Sequence, residues 1–166
     1  MEQWDVYDSL GKRTGIKKTR ADVWEHNEYH LGVSLWLVNK TEQVLIQKRA
    51  ATKRMFPNLW CNVCGSVMAG ETSLAACVRE TWEEIGLAVD ERCLEFIGRT
   101  IKQNNIHDDY VTRNDFSIEQ FTFPLEGVSE LRWVSLDEIG ELFHLKAFLL
   151  SDFSALDSLK KYMWRK

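Results

Sequence analysis

Residues 31–38 are the densest apolar run in the chain and stop at Asn39 and Lys40, the pattern of a strand buried on both faces. Residues 44–48 answer that run across a short polar turn, which predicts an antiparallel pair. Residues 4–7 form a short apolar stretch closed by Asp8, Ser9, Leu10 and Gly11, read as a strand and the turn of a first hairpin; residues 12–28 are polar and irregular. Further strands are predicted at 59–67, 93–102, 117–123 and 131–134. The period changes to that of a helix after Thr72 and Ser73, either of which can cap it. Leu74, Val78, Trp82 and Ile85 share one side, and Gly86 supplies a stop. Ser135 to Glu138 read as a capping box opening a second helix. Residues 148–164 read as a last amphipathic helix with Phe153, Leu156, Leu159 and Met163 on one side. Strands, helix, strands, helix is the order of an α+β chain, a mixed sheet held between helices in α/β/α layers.

With 166 residues the chain has the size of one domain, 1–166, large enough for a sizeable core. Its 45% hydrophobic residues and only two prolines exclude extended disorder. A net charge of −4 argues against a nucleic-acid polymer as the main partner. No apolar run approaches the roughly 18 residues of a membrane span, and the first ten residues lack the core of a signal peptide. The expectation is a cytoplasmic protein with no membrane partner, monomeric or homodimeric. In that setting Cys61, Cys64, Cys77 and Cys93 stay reduced. Cys61-x-x-Cys64 invites a zinc reading, but two more ligands at suitable spacing are lacking, since the other cysteines lie on or after the helix.

Charge on the first helix changes the picture. Glu80, Glu83 and Glu84 fall at i, i+3 and i+4, so their carboxylates project from one face about a turn apart. Each such like-charge pair destabilises an isolated helix by a few tenths of a kcal/mol, which makes sense if a cation sits in front of it. Hard oxygen donors suit Mg²⁺ or Mn²⁺, and these ions bring phosphates with them. An ordinary solvated acidic face is the alternative reading. The wider spacing decides between the two. From Gly65 through Glu71, Arg79, Glu80, Glu83, Glu84 and Gly86 to Leu87 the chain fits Gly-x5-Glu-x7-Arg-Glu-U-x-Glu-Glu-x-Gly-U, where U is apolar, and departs only at Thr81. Seven specified residues match by chance on the order of 10⁻⁹ per starting point. Residues 65–87 thus resemble the signature of the Nudix hydrolases.

The resemblance implies a Nudix sandwich and metal-dependent hydrolysis of a diphosphate linkage. Glu83 and Glu84 would be direct metal ligands, Glu80 a further ligand or the base that deprotonates water, and the Gly65 carbonyl would complete the set. Arg79 and Glu71 would orient the site, since a guanidinium cannot bind the metal but can fix a carboxylate by a bidentate pair. Many relatives recruit one more acid from outside the motif. The candidates are Asp108, Asp109, Asp115, Glu119, Glu126 and Glu130, and Glu119 is the choice because a strand over 117–123 would hold it rigidly. Lys48, Arg49 and Lys53, with Arg54, form a basic cluster that serves either as a phosphate grip or as solvated charge.

The flanks resemble a second enzyme of the same fold, type 1 isopentenyl-diphosphate isomerase. The resemblance lies in Tyr29 to Asn39, Gln47 to Lys53 and Asn58 to Gly65, with Cys64 at the position of that enzyme's catalytic cysteine and His30 at that of a metal-ligand histidine. Val23 and Ser66 stand where the isomerase has further histidines, and its downstream Glu-x-Glu pair is missing. The hydrolase motif is intact, so a hydrolase of the isomerase-like branch is the reading, acting on a small diphosphate such as a nucleoside diphosphate derivative. An isomerase and a non-catalytic binding module are the alternatives. Cys64 and His30 are otherwise explained by packing, and Trp36, Trp60 and Trp133 by the core rather than by base stacking.

Overall fold

A computed structural model describes residues 2–113, 115–149 and 153–165, with the side chain of Phe153 also outside the description. The long apolar run becomes the organising strand β3 (His30–Val38), every residue of which after His30 is buried. β1 (Trp4–Tyr7) pairs antiparallel with β2 (Arg13–Lys18), so the expected first hairpin forms, with its return strand in the polar stretch read as irregular. β4 (Val44–Arg49) is antiparallel to β3, as expected from the short turn between them. β5 (Trp60–Cys61) and β6 (Val63–Ser66) divide the strand expected over 59–67, and β6 runs antiparallel to the first half of β3.

The second half of the sheet departs further from expectation. β7 (Glu95–Lys102) starts after a 3₁₀ turn at Glu91–Cys93, and β8 (Asn105–Arg113) is a strand that the hydrophobic pattern did not reveal. β8 lies parallel to β3 along its whole length and antiparallel to β7, which makes the sheet mixed. The strand expected over 117–123 is absent: Ser117 and Gln120 cap each other around a 3₁₀ turn at Ile118–Gln120. β9 (Val128–Val134) pairs with β4 and extends the expected strand backward.

Because successive strand residues face opposite ways, β3 feeds two cores. Leu31, Val33, Leu35 and Leu37 pack with Ala76, Cys77 and Ile85 of helix α1 (Ser73–Ile85). Trp36 and Val38 pack with Ile139 of α2 (Leu136–His144) and Ala155, Leu156, Leu159 and Met163 of α3 (Phe153–Met163). The layers are α/β/α, in the α+β class. Helix α2 opens on the expected Ser135 capping box. α3 occupies only part of the expected 148–164: Phe148 is bridged to Trp60, and residues 150–152 lie outside the described residues. Among the described residues no helix is long and apolar enough to cross a membrane.

The buried stripe of α1 also needs correction. Trp82, expected inside, is 60% exposed, and Thr81 is fully buried instead. A hydroxyl can occupy that place because Thr81 donates to the Cys77 carbonyl at 2.7 Å, satisfying itself within its own helix. That accounts for the one departure from the sequence motif.

Candidate active site

Helix α1 carries the acids, and both of its ends are well made. Thr72 accepts from the Ala75 N–H at 3.1 Å, and Gly86 closes the helix in the left-handed region at φ 66, with its N–H on the Trp82 carbonyl. With the stripe of Ala76, Cys77, Thr81 and Ile85 turned into the core, Glu80 and Glu84 are carried against β6 and Glu83 stands at the solvent edge.

Each inner carboxylate is held by groups of the chain. Glu84 accepts from the amide of Gln47 on β4 and from the Cys64 N–H at 3.2 Å. Burial pushes its carboxyl up to about 7, against the pull of those two donors. Glu80 accepts from the Ser66 N–H at 3.1 Å, and burial raises its pKa as well. A side chain at residue 65 would place Cβ 1.9 Å from the Glu80 Cδ, so glycine there makes room for Glu80 itself.

Arg79 joins the acids into one unit. Its Nε and Nη2 donate to the two oxygens of Glu71, both at 3.0 Å, which is the expected bidentate pair. It also donates to Glu80 at 2.8 Å, to Glu83 at 3.1 Å and to the Ser66 carbonyl at 2.8 Å. The hydrogen bond to Glu71 raises the Arg79 pKa further. Glu71, despite partial burial, is held below the usual carboxylate range by Arg79 and the Met68 N–H.

Glu80, Glu83, Glu84 and Gly65 line a cleft of about 580 Å³ that also takes in Arg49, Lys53 and Arg54, a size typical of small-molecule sites. One wall is acidic and the other basic. Lys48 is not part of the lining. It alternates with Arg49 along β4, so it faces the other way, with Nζ 5.7 Å from the centre of the Trp60 ring. Glu119 does not line the cleft either: the strand that was to hold it is a 3₁₀ turn, and its side chain is exposed. Asp108 is instead paired with Arg99 at 2.6 and 2.8 Å, and Asp109 accepts from the Trp36 indole at 3.3 Å. The acid from outside the motif that does line the cleft is Glu2, joined by Arg20 and His107, none of which the sequence singled out. Neither Trp36, Trp60 nor Trp133 reaches it. The four cysteines are free thiols.

Residues 28–155 match the family described as NUDIX domain, which is most of the chain. The chain belongs to the Nudix family. Nudix hydrolase 3 of Arabidopsis thaliana is 30% identical over 151 residues, which cover 82% of this chain but only 20% of that much longer protein. A Nudix hydrolase of Listeria monocytogenes is 32% identical over 150 residues, covering 86% of this chain and 85% of that one. An isopentenyl-diphosphate Delta-isomerase of Cutibacterium acnes is 26% identical over 168 residues, 93% of this chain and 84% of that one. In fold, the chain superposes on a crystal structure of a Deinococcus radiodurans protein with TM-score 0.78 at 21% identity, covering 96% and 98% of the two chains.

The donor set of this Nudix site fits a hard divalent cation: carboxylate and carbonyl oxygens, with no thiolate or imidazole required. Among the described residues no three acid, histidine or cysteine side chains already converge to hold an ion. Glu80 and Glu83 turn their oxygens to Arg79, whose guanidinium stands as the counter-charge between them.

Proposed function

We propose that this Nudix protein hydrolyses a phosphoanhydride linkage in a small diphosphate compound, a nucleoside diphosphate derivative, with Mg²⁺ or Mn²⁺. One observation carries the reading: Glu80, Glu83 and Glu84 share a cleft with Arg49, Lys53 and Arg54. A diphosphate is an anion that resists nucleophiles. An acidic wall alone would repel it, and a basic wall alone would bind it without activating water. Glu80, Glu83, Glu84 and the Gly65 carbonyl would hold the metal, which when bound neutralises phosphate charge and makes water a stronger nucleophile.

The rest falls to the chain. Arg49 and Lys53 grip the non-bridging phosphate oxygens. Glu80 is either one of the metal ligands or, with the metal left to Glu83, Glu84 and Gly65, the base that accepts a proton from the attacking water, a role that its burial and raised pKa suit. Arg79 and Glu71 fix where Glu80 and Glu83 stand. Support for hydrolysis over isomerisation comes from the places where the isomerase histidines would be. Val23 is 76% exposed and does not line the cleft, while Ser66 gives its N–H to Glu80.

The test is a panel of nucleoside diphosphates, nucleotide sugars, dinucleotides and isopentenyl diphosphate, assayed with Mg²⁺ or Mn²⁺ for released phosphate and for the phosphorylated products of cleavage. Glu83→Gln, at a half-exposed position that leaves the fold intact, should lower the rate by about 100-fold or more. An unchanged rate would remove Glu83 from the metal site. Formation of dimethylallyl diphosphate would transfer the protein to the isomerases, and no turnover across the panel would favour a binding module.

A further inference from the structure

The turn that brings Glu71 to Arg79 is held from far away in the chain. Residues 68–71, between β6 and α1, close through the Glu71 N–H on the Met68 carbonyl at 3.0 Å, with Gly70 in the left-handed region at φ 84. Three further backbone groups of this turn are taken by the first hairpin and the residue before it. Ala69 gives its N–H to the Gln3 carbonyl at 2.8 Å, and Gly70 gives its own to the Asp5 carboxylate at 2.8 Å. Arg13, on the return strand, donates to the Glu71 carbonyl and to the Tyr7 hydroxyl, and its Nε lies 3.2 Å from Asp5.

Packing does not account for these residues. β1 and β2 form a sheet of their own, β2 is exposed along almost its whole length, and the family match begins only at residue 28. Asp5 stands between Trp4 and Val6 on a buried strand and is itself 8% exposed. An apolar residue there would avoid the desolvation of a carboxylate, and replacing a buried ion pair in that way is often neutral or stabilising. What an apolar residue could not do is accept the Gly70 N–H.

From the turn the path to the acids is short. Glu71 accepts the Met68 N–H at 3.0 Å, so its carboxylate stands where the turn puts it. The same carboxylate holds Arg79, and Arg79 holds Glu80 and Glu83. The hairpin also faces the acidic cleft, since Glu2 before β1 and Arg20 after β2 line it.

We propose that the first hairpin is a working part of the site. Asp5 and Arg13 are positioning residues that fix the 68–71 turn and, through Glu71 and Arg79, the setting of Glu80 and Glu83. The proposal rests on reading those glutamates as part of a metal site.

Calorimetric titration of the full chain with Mn²⁺, without substrate, separates the two ideas. Arg13→Gln, at a side chain 44% exposed, and Asp5→Leu, alike in shape, should each weaken Mn²⁺ binding about 2- to 30-fold, the range for residues coupled to a site through a network. Asp5→Asn, which keeps an oxygen for the Gly70 N–H, should recover most of that affinity. Because the hairpin acts through Glu71, Arg13→Gln should add no further loss to Glu71→Gln. Amide hydrogen exchange at Gly70 should be faster in Asp5→Leu before any metal is added. Wild-type Mn²⁺ affinity in both single variants, or unchanged exchange at Gly70, overturns the proposal and leaves the metal site standing. An equal loss with and without Glu71→Gln overturns it too, since the hairpin would then act on the fold at large. No Mn²⁺ binding by the wild-type chain removes the metal site and the positioning role together.

Discussion

Gln47 reaches from β4 to helix α1 and donates its side-chain amide to the Glu84 carboxylate, which also accepts from the backbone N–H of Cys64. Gln47 is itself buried, also within reach of the Asn62 carbonyl at 3.4 Å, so its rotamer is set before any ligand arrives. It acts on the proposed metal through Glu84. Outer partners of this kind typically change metal affinity 10- to 100-fold. Gln47→Leu, close in volume, should therefore weaken Mn²⁺ binding by about that factor, read by metal titration, with the rate at saturating metal much less affected. Equal metal affinity in the two proteins would show that Glu84 needs no such support.

Gly65→Ala tests the close approach of Glu80. The new Cβ would overlap the Glu80 carboxyl, at 1.9 Å from Cδ and 2.2 Å from the nearer oxygen. Rotating Glu80 away breaks its bonds to Ser66 and Arg79, so the side chain cannot yield without loss of site geometry. Misplacement of about 1 Å is enough for a 100-fold fall in rate, and that is the expected effect on phosphate release. Retained activity would show that Glu80 works from another position.

Arg79→Lys keeps the charge and removes the fork. A lysine has one nitrogen to share among Glu71, Glu80, Glu83 and the Ser66 carbonyl, all of which Arg79 now reaches. The expected outcome is a loss of about 1–2 kcal/mol of stability by denaturant titration and a rate at least tenfold lower. A lysine variant with wild-type rate would reduce Arg79 to a counter-charge.

How much of this could be read from the sequence follows from where each signal lies. The stretch from Gly65 to Leu87 was legible because its residues act on one another within a loop and a single helix. β8 was not. Asn105, His107, Asp108 and Asp109 break any apolar alternation, and Asp108 and Asp109 enter the core only because Arg99 and Trp36 meet them from other strands. Gln47 was unremarkable for the same reason: only the packing of helix α1 on the sheet brings it to Glu84. The 3₁₀ turn that displaced Glu119 did carry a local signal, a serine followed three residues later by glutamine. Lys48 was misplaced by treating a run of cations as one patch, although alternation along a strand sends neighbours to opposite faces.

Asp109 gives the fold a pH dependence separate from the acidic cleft. Burial pushes its carboxyl up to about 7, against the hydrogen bond from Trp36 and with a further upward push from Asp108. Its ordinary value is near 3.8, so between about 4 and 7 the native chain holds a proton that the unfolded chain releases. The stabilisation is therefore complete below pH 4 and is lost as pH rises through 7, a change on the order of 4 kcal/mol. His30 and His107 act the other way: burial holds both near 4, so they lose stability as pH falls below about 6.5. The difference between wild type and Asp109→Asn isolates the aspartate, because asparagine keeps an acceptor for Trp36 and carries no proton to lose. Denaturant titrations at pH 4.5 and pH 8 should show the variant gaining on the wild type as pH rises and exceeding it at pH 8. Parallel pH profiles for the two proteins would mean that Asp109 ionises within the core without penalty.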